Sequence, residues 1–164
     1  MAIRKLILDD FFEDEQFTLI GIHCNVEDYR LAYLLNQALE ISLARKEKDI
    51  DNNNRETNYS IFEWEDQTQL NTWNLVSNNC KVESNQIVST ATLDSLFSAS
   101  QIATRAYHLI PEFKKVNYLL KIDSVLNANK EKIILSKILA IQQVATAYNI
   151  EANQLKSKDN LIFN

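Results

Sequence analysis

The pattern of apolar and polar residues in the first third of the chain predicts a strand followed by a helix. Residues 17–22 are apolar on both alternating sides, which is typical of an interior strand covered on both faces, and we expect this strand to be the central one. Between residues 26 and 45, apolar side chains recur at helical spacing and indicate a helix that packs on the sheet. We expect Asn25 to cap this helix and the basic residues 45–48 to close it.

The next apolar segments predict a β-hairpin. Residues 58–66 and 72–77 are rich in aromatic and β-branched side chains, and residues 67–71 have the length of a hairpin turn. Trp64 and Trp73 each lie on the apolar side of their strand. Aromatic pairs across such a hairpin stabilise it by roughly 0.2–1 kcal/mol each.

Three polar segments separate or precede these elements. Residues 4–8 alternate weakly and predict a short strand, whereas residues 49–57 contain three consecutive asparagines and predict a loop. Residues 78–100 are rich in Ser, Asn and Thr, and we expect a long excursion with one short strand or helix near residues 92–97.

The last third of the chain predicts a strand, a helix and a tail. Residues 116–122 alternate with one apolar face, which indicates a strand. Residues 127–148 carry apolar side chains at helical spacing and predict an amphipathic helix. The tail ends in Leu161, Ile162 and Phe163, an apolar group that a small domain would not leave bare.

Together these elements predict one α+β domain over residues 1–164. We expect a mostly antiparallel sheet of about five strands with two main helices packed on one face. The C-terminal tail, residues 151–164, is expected either to dock on the protein itself, by adding to the sheet edge, or to bind a partner.

The composition excludes several classes of site. The chain of 164 residues has one Gly and one Pro, whereas phosphate-binding loops, dinucleotide fingerprints and nucleophile elbows each need two or more glycines close together. A net charge of -5 disfavours non-specific attraction to nucleic acid or anionic lipid. No apolar run approaches 18 residues, so we predict no membrane segment.

Candidate chemistry is sparse. His23 and His108, the only histidines, have no second ligand-type residue at helical spacing, and His23 and Cys24 should point to opposite faces of a strand. Cys24 and Cys80 are far apart and lack metal-type spacing, so we expect free thiols in a reducing cytoplasm. We therefore predict no catalytic residue, no cofactor and no metal.

One segment resembles a known motif. The sequence Ile-Pro-Glu-Phe-Lys-Lys-Val-Asn-Tyr at residues 110–118 is similar to the motif that names the bacterial IPExxVDY family, a group without an established function. Similar features extend over nearly the whole chain except the middle excursion. Asn117 stands where the motif has Asp, and this departure favours a structural role, because an amide neither titrates nor binds hard cations as well as a carboxylate.

The sequence favours a small, non-enzymatic protein-interaction or regulatory module that binds another protein or associates with itself. Tyr29, Arg30 and Tyr33 form a helix edge of the residue types that are enriched at interface hot spots. The other candidate partner-binding residues lie in the motif and the tail; they are Glu112, Lys156, Lys158 and Phe163.

The alternative is an RNA-binding module that resembles a double-stranded-RNA domain. The order of helix, strands and helix favours this alternative, as do Lys130 and Lys132 at the start of the second helix. The negative total charge and the lack of a continuous basic stripe disfavour it.

Overall fold

A computed structural model describes residues 16–51, 57–85 and 102–163 of the chain. Its elements in chain order are β1 (Thr18–Cys24), α1 (Asp28–Leu39), β2 (Ala44–Arg45), β3 (Ile50–Asp51), β4 (Asn58–Tyr59), β5 (Ile61–Asp66), β6 (Asn71–Ser77), β7 (Asn79–Asn85), β8 (Ile102–His108), β9 (Tyr118–Ile122), α2 (Ala128–Leu139) and β10 (Val144–Ile150). Short 3-10 helices span Pro111–Phe113, Ala152–Gln154 and Lys158–Leu161.

Six of the strands form an antiparallel sheet in the order β10-β1-β9-β6-β5-β2, and β3–β4 and β7–β8 form separate two-stranded sheets. The predicted α+β class, with two main helices and an antiparallel sheet, is confirmed. The expectation that β1 is the central strand was wrong, because β9 and β6 hold the centre and β1 lies second from the edge. A strand with apolar side chains on both sides is covered on both faces of the sheet. Any interior strand can have this pattern, so the pattern does not identify the central one.

The helices cover one face of the sheet. Strand side chains alternate between the two faces, so one half of each apolar strand points toward the helices. From the helices, Leu31 and Leu35 of α1 and Ile138 of α2 are fully buried in this layer. The strand residues of the same layer include Ile20, Ile22, Leu75, Leu120 and Ile122.

The opposite face of the sheet is covered by the segment around residues 109–116 and by the C-terminal tail. Leu155 and Leu161 of the tail are buried against Leu19, Leu119 and other residues of this face. The tail therefore lies on the face of its own sheet and adds no strand to the sheet's edge.

Gly21 lies where β1 passes beneath this second layer. A Cβ atom at this position would lie 2.9 Å from Cδ1 of Ile150 and 3.2 Å from Cγ2 of Val116. The single glycine of the chain thus permits close packing of the segment at residues 109–116 on β1.

Asn78 joins the hairpin to the motif segment. Its fully buried side chain donates to the carbonyls of Phe113 and Val116, each at 2.9 Å, and accepts the N–H of Ile110 at 2.8 Å. These bonds satisfy backbone groups that would otherwise be buried without a partner. Asn78 therefore fixes the loop that carries the motif.

The first helix is shorter than predicted. It begins at Asp28 after Glu27, so Asn25 is not its cap, and it ends where Glu40 takes a left-handed conformation with φ 58°. Asn36 fixes the reversal, because its side chain accepts the N–H of Leu43 at 2.7 Å and donates to the Leu43 carbonyl at 3.0 Å. The basic residues 45–48 consequently lie in and after β2 and do not close the helix.

The second helix was predicted nine residues too long by the apolar spacing. It starts as expected at the cap Asn127, whose side chain accepts the N–H of Lys130, but it ends at Leu139, and residues 144–150 form β10. A β-bulge at Ala145 lets Thr146 pair with His23 while Val144 pairs with Cys24. Val144 and Ala147, on either side of the bulge, are buried in the layer under the helices, whereas Ile150 is buried on the opposite face of the sheet.

Other boundaries also differ from the sequence pattern. The predicted strand at residues 58–66 is divided at Ser60 into β4 and β5, and the predicted strand at 116–122 begins at Tyr118. Residues 79–85, expected to belong to an irregular excursion, form β7 and pair with β8. The strand predicted at residues 4–8 and the element predicted near 92–97 lie outside the described residues.

Candidate binding groove

A groove of about 530 Å³ opens between the end of α1, one side of α2 and the β5–β6 hairpin. Its volume lies within the range of about 300–1,000 Å³ that is typical of ligand sites. The residues that line it are Leu39, Glu40, Ile41, Trp64, Asp66, Thr68, Gln69, Trp73, Leu126, Lys130, Ile133, Ile134 and Lys137.

Two indoles form one side of the groove. Trp64 and Trp73 are directly opposite each other on β5 and β6, with ring centroids 6.0 Å apart and a tilt of 55°. The ring nitrogen of Trp73 donates to Oδ1 of Asn71 at 3.0 Å, so the polar atom of this buried ring is satisfied within the protein. The indoles therefore present an apolar surface, and the aromatic pairing expected from the sequence is confirmed.

The α2 side of the groove alternates charge with apolar surface. Lys130, Ile133, Ile134 and Lys137 recur at the spacing of one helix face. Ile133 is 55% exposed and lines the groove. The apolar centre of this face is thus flanked by one lysine on each side along the helix.

The charges of the groove are not equally available. Asp66 is 9% exposed, and its carboxylate accepts the N–H groups of Thr68 at 2.9 Å and Gln69 at 3.2 Å in the hairpin turn. Lys130 and Lys137 form no ion pair with any residue in the described ranges. Within the described ranges, the lining charges without an ion pair are therefore Lys130 and Lys137 on α2 and the exposed Glu40 at the end of α1, whereas Asp66 is already used by the turn.

The groove is suited to binding. It is lined by no histidine and no cysteine, and the described ranges hold no group of three His, Cys, Asp or Glu side chains that could bind a metal ion. Indole, isoleucine and lysine side chains provide apolar contact and charge, which give affinity and orientation.

The predicted helix edge lies outside the groove. Tyr29 and Tyr33 are 62% and 59% exposed on α1, and Arg30 between them is also exposed. The hydroxyl of Tyr29 donates to the Glu27 carboxylate at 2.5 Å, and this hydrogen bond and charge raise the pKa of Tyr29. Gln37 donates to the Tyr33 hydroxyl at 2.9 Å. Both phenols therefore have polar partners while their rings face solvent.

Glu112, predicted as a partner-binding residue, contacts the tail. Its carboxylate accepts the N–H of Lys156 at 2.8 Å and, from Ser157, the N–H and the hydroxyl, each at 2.9 Å. Desolvation acts to raise the pKa of Glu112, but the hydrogen bonds from its own N–H, from Ser157 and from Lys156 outweigh it and hold the pKa below its usual value. Lys156 itself is exposed.

The remaining tail candidates surround a buried lysine. Lys121 of β9 is 5% exposed, forms an ion pair with Asp123 at 2.8 Å, and has its ammonium 5.2 Å from the ring centre of Phe163. The ring centre of Phe17 lies 5.0 Å from the same Lys121 ammonium. The ammonium of Lys158 lies 5.8 Å from the ring centre of Phe17. Lys158 and Phe163 therefore make cation–π contacts inside the protein.

The few side chains that could carry catalysis or bind a metal do not form a common site in the described part of the chain. His23 lies 3.3 Å from the Tyr148 hydroxyl, whereas His108 is on the separate β7–β8 sheet. Burial raises the pKa of the Cys24 thiol, which disfavours the reactive thiolate. The Glu63 carboxylate binds Lys46 and the side-chain amide of Asn74, each at 3.0 Å.

The motif at residues 110–118 connects separate parts of the fold. Asn117 accepts the N–H of Cys24 on its side-chain oxygen at 3.1 Å, and the Tyr118 hydroxyl donates to the Val26 carbonyl at 2.7 Å. Burial is the main cause that raises the pKa of Tyr118 to about 12, and the negative charges nearby add to it. These contacts join β9 to the turn between β1 and α1.

Sequence reasoning missed the groove, although part of its signal was present. The apolar stripe of the second helix was predicted from Ile134 and Ile138, which face the core, and Ile133 one residue earlier was not considered. The spacing of Lys130, Ile133 and Lys137 marks a second, mixed face. This face lines a groove only because the β5–β6 hairpin lies opposite it, and no local sequence pattern shows that the hairpin lies there.

Comparisons with protein-family models, with curated proteins and with solved structures found no match. In the described part of the chain, neither helix has the length and the apolar character needed to cross a membrane.

Proposed function

We propose that the protein is a non-enzymatic interaction module and that its groove binds a segment of a partner protein with an apolar side chain flanked by carboxylates. The observation that carries the proposal is the exposed Ile133, set opposite two indoles and between two lysines that form no ion pair with the described part of the chain. The proposal places the protein in the cytoplasm, where its two free thiols, Cys24 and Cys80, stay reduced.

The apolar part of the segment follows from the groove's surface. Tryptophan is enriched among residues that dominate binding energy, and burial of apolar surface contributes about 25 cal/mol per Å². Two further apolar side chains, Leu70 and Val125, are next in sequence to the lining residues Gln69 and Leu126 and are 88% and 63% exposed. A leucine or phenylalanine side chain inserted beside Ile133 would remove this surface from water.

The acidic part follows from the lysines. Lys130 and Lys137 are two helical turns apart and flank the apolar centre, so carboxylates on both sides of one apolar residue match them. Because the whole chain carries a charge of -5, the pairing is local and does not depend on long-range attraction. Such charges select the partner and fix its register more than they add affinity.

The resemblance to the IPExxVDY family is part of the same proposal. Its support is that the motif residues Glu112, Asn117 and Tyr118 hold the tail and the end of β1 in place. The motif then maintains the scaffold, and the groove on the other face of the sheet carries recognition.

Three synthetic nine-residue peptides test the groove. Each has a central leucine, flanked on both sides by glutamates, by glutamines or by lysines. We expect the Glu-flanked peptide to bind about tenfold more tightly than the Gln-flanked one and to shift the NMR signal of the Trp64 ring N–H. The variant Ile133→Asp should lose this binding, whereas Tyr33→Asp, equally exposed on α1, should keep it.

A charge reversal provides the decisive comparison. The double variant Lys130→Glu/Lys137→Glu should prefer the Lys-flanked peptide, whereas Lys132→Glu, on the same helix but outside the groove, should retain the wild-type preference. Equal binding of all three peptides to the wild type, or no binding of any, contradicts the proposal. A salt-dependent shift of labelled duplex RNA that is lost in the double variant would assign the groove to RNA instead.

A further inference from the structure

One segment of the chain has the pattern that the groove is proposed to bind. Residues 9–15, just before the first described range, have the sequence Asp-Asp-Phe-Phe-Glu-Asp-Glu. Two adjacent phenylalanines, Phe11 and Phe12, are thus flanked on both sides by carboxylates. An apolar side chain between acidic ones is the chemistry that suits Ile133 and the two groove lysines.

The spacing of these carboxylates matches the spacing of the lysines. Lys130 and Lys137 are seven residues apart on α2, which corresponds to about 10.5 Å along the helix axis. Asp10 and Glu13 are three residues apart, which corresponds to about 10 Å in an extended chain. An extended segment therefore brings one carboxylate to each lysine while a phenylalanine between them meets Ile133.

The segment is also tethered beside the groove. The hydroxyl of Thr18, the first residue of β1, accepts the N–H of Leu126 at 3.1 Å and donates to the Ser124 carbonyl at 2.8 Å. Leu126 lines the groove, so β1 begins at the groove's edge. Phe12 is six residues before Thr18, and an extended chain of that length spans about 20 Å. This reach exceeds the length of α2, which is about 18 Å for its 12 residues.

The tether favours the chain's own segment over a separate molecule. A ligand on a short tether meets its site at an effective concentration in about the millimolar range. The same segment on a second copy has no such advantage, and the charge of -5 on each chain opposes the approach of two copies.

We propose that residues 9–15 occupy the groove of their own molecule, with the phenylalanines toward Trp64 and Trp73 and the acidic side chains along α2. Aromatic rings pack favourably on one another, and the exposed Glu40 on the α1 side repels carboxylates and so confines them to the side of the lysines. The segment is then an internal competitor that a partner must displace. This inference rests on the proposed function of the groove, because both assign the groove the same ligand chemistry.

Peptide binding to full-length variants tests the competition. Phe11→Ser/Phe12→Ser should bind the Glu-flanked peptide about tenfold more tightly than the wild type does, which corresponds to a wild-type groove that is open in about one molecule in ten. Ile3→Ser, before residues 9–15 in the sequence, should bind as the wild type does. Unchanged affinity in the double variant overturns the inference and leaves the proposed function of the groove standing. Absence of binding to both the wild type and the double variant contradicts the inference and the proposed function together.

Carbodiimide cross-linking of the wild type locates the segment without any change of sequence. The reagent joins a lysine to a carboxylate in contact with it, with loss of water, and mass spectrometry identifies the joined peptides. We expect Lys130 and Lys137 to be joined to residues 9–15. Joining of this segment only to other lysines, such as Lys156 and Lys158 of the tail, overturns the inference.

Isotope labelling separates the chain's own segment from that of a second copy. In an equal mixture of labelled and unlabelled wild-type chains, each joined pair of peptides should be either fully labelled or fully unlabelled. Pairs with one labelled and one unlabelled peptide would show that the segment enters the groove of another copy, which overturns the proposed contact within one molecule.

Discussion

Glu112 fixes Ser157 by two hydrogen bonds, in which one carboxylate oxygen accepts the backbone N–H and the other accepts the hydroxyl, each at 2.9 Å. The same carboxylate also accepts the N–H of Lys156. A 3-10 helix that starts at the chain's single proline thereby holds a tail more than forty residues further along the chain. A residue that sequence analysis considered for partner binding thus closes the tail on the sheet.

Glu112→Gln should loosen the tail. Loss of the charge weakens hydrogen bonds to backbone N–H groups, and we expect a decrease of about 1 kcal/mol in the free energy of unfolding at pH 7. Hydrogen exchange of residues 155–163 should become faster. Glu151→Gln is the matched control, because the Glu151 side chain bonds Gln154 within its own turn; an equal effect of both variants contradicts the assigned role.

The pH dependence of the tail follows from the same carboxylate. Because the folded pKa of Glu112 is lowered, its stabilisation is fully present above the ordinary carboxyl pKa of about 4.3 and is lost as the pH falls through the lowered folded value. Tail exchange in the wild type should therefore accelerate in that acidic range, relative to the core of the sheet. In Glu112→Gln this additional acceleration should be missing, and its persistence would assign it to another group.

Asn117→Asp should be tolerated. The contact that matters is the acceptance of the Cys24 N–H, and a carboxylate oxygen serves as well as an amide oxygen. We expect the free energy of unfolding to change by less than about 0.5 kcal/mol at pH 7. Asn117→Leu removes the acceptor and should cost about 1–3 kcal/mol, since it leaves a partly buried N–H unpaired. Chemical denaturation measures both, and equal losses would refute the structural role.

Gly21→Ala should destabilise the protein by crowding. The new methyl group meets Cδ1 of Ile150 at 2.9 Å, and overpacking in a core costs about 1–3 kcal/mol. Ile150→Val removes that Cδ1 atom, so the double variant should be more stable than the sum of the two single losses predicts. A double-mutant cycle by denaturation measures this coupling, and a coupling of zero would show that the close contact lies elsewhere.

Tyr118→Phe tests the role of a half-buried phenol. The hydroxyl donates to the Val26 carbonyl, and its loss should cost about 1 kcal/mol. Because the folded pKa is raised to about 12, the stabilisation is fully present below the unfolded value of about 10 and is lost as the pH rises toward 12. Absorbance at alkaline pH should show a late tyrosine ionisation near pH 12, and this step should be absent in Tyr118→Phe.

The sequence determined those features that depend on neighbours along the chain. Apolar residues on both sides defined β1, aromatic and β-branched segments defined β5 and β6, and helical spacing defined the apolar stripe of α1. Each of these signals acts within one strand or one helical turn. The α+β class followed from them, because two amphipathic helices need a sheet to cover.

Tertiary structure decided what depends on distant partners. The end of α1 was set by Asn36, which binds Leu43 across the chain reversal after the helix, and the strand at residues 144–150 was set by its pairing with β1. The groove exists because α2 lies opposite the β5–β6 hairpin, and the tail is held because Glu112 reaches Ser157. Local patterns report which side chains avoid water, whereas the identity of the surface that covers them is fixed only when the whole chain packs.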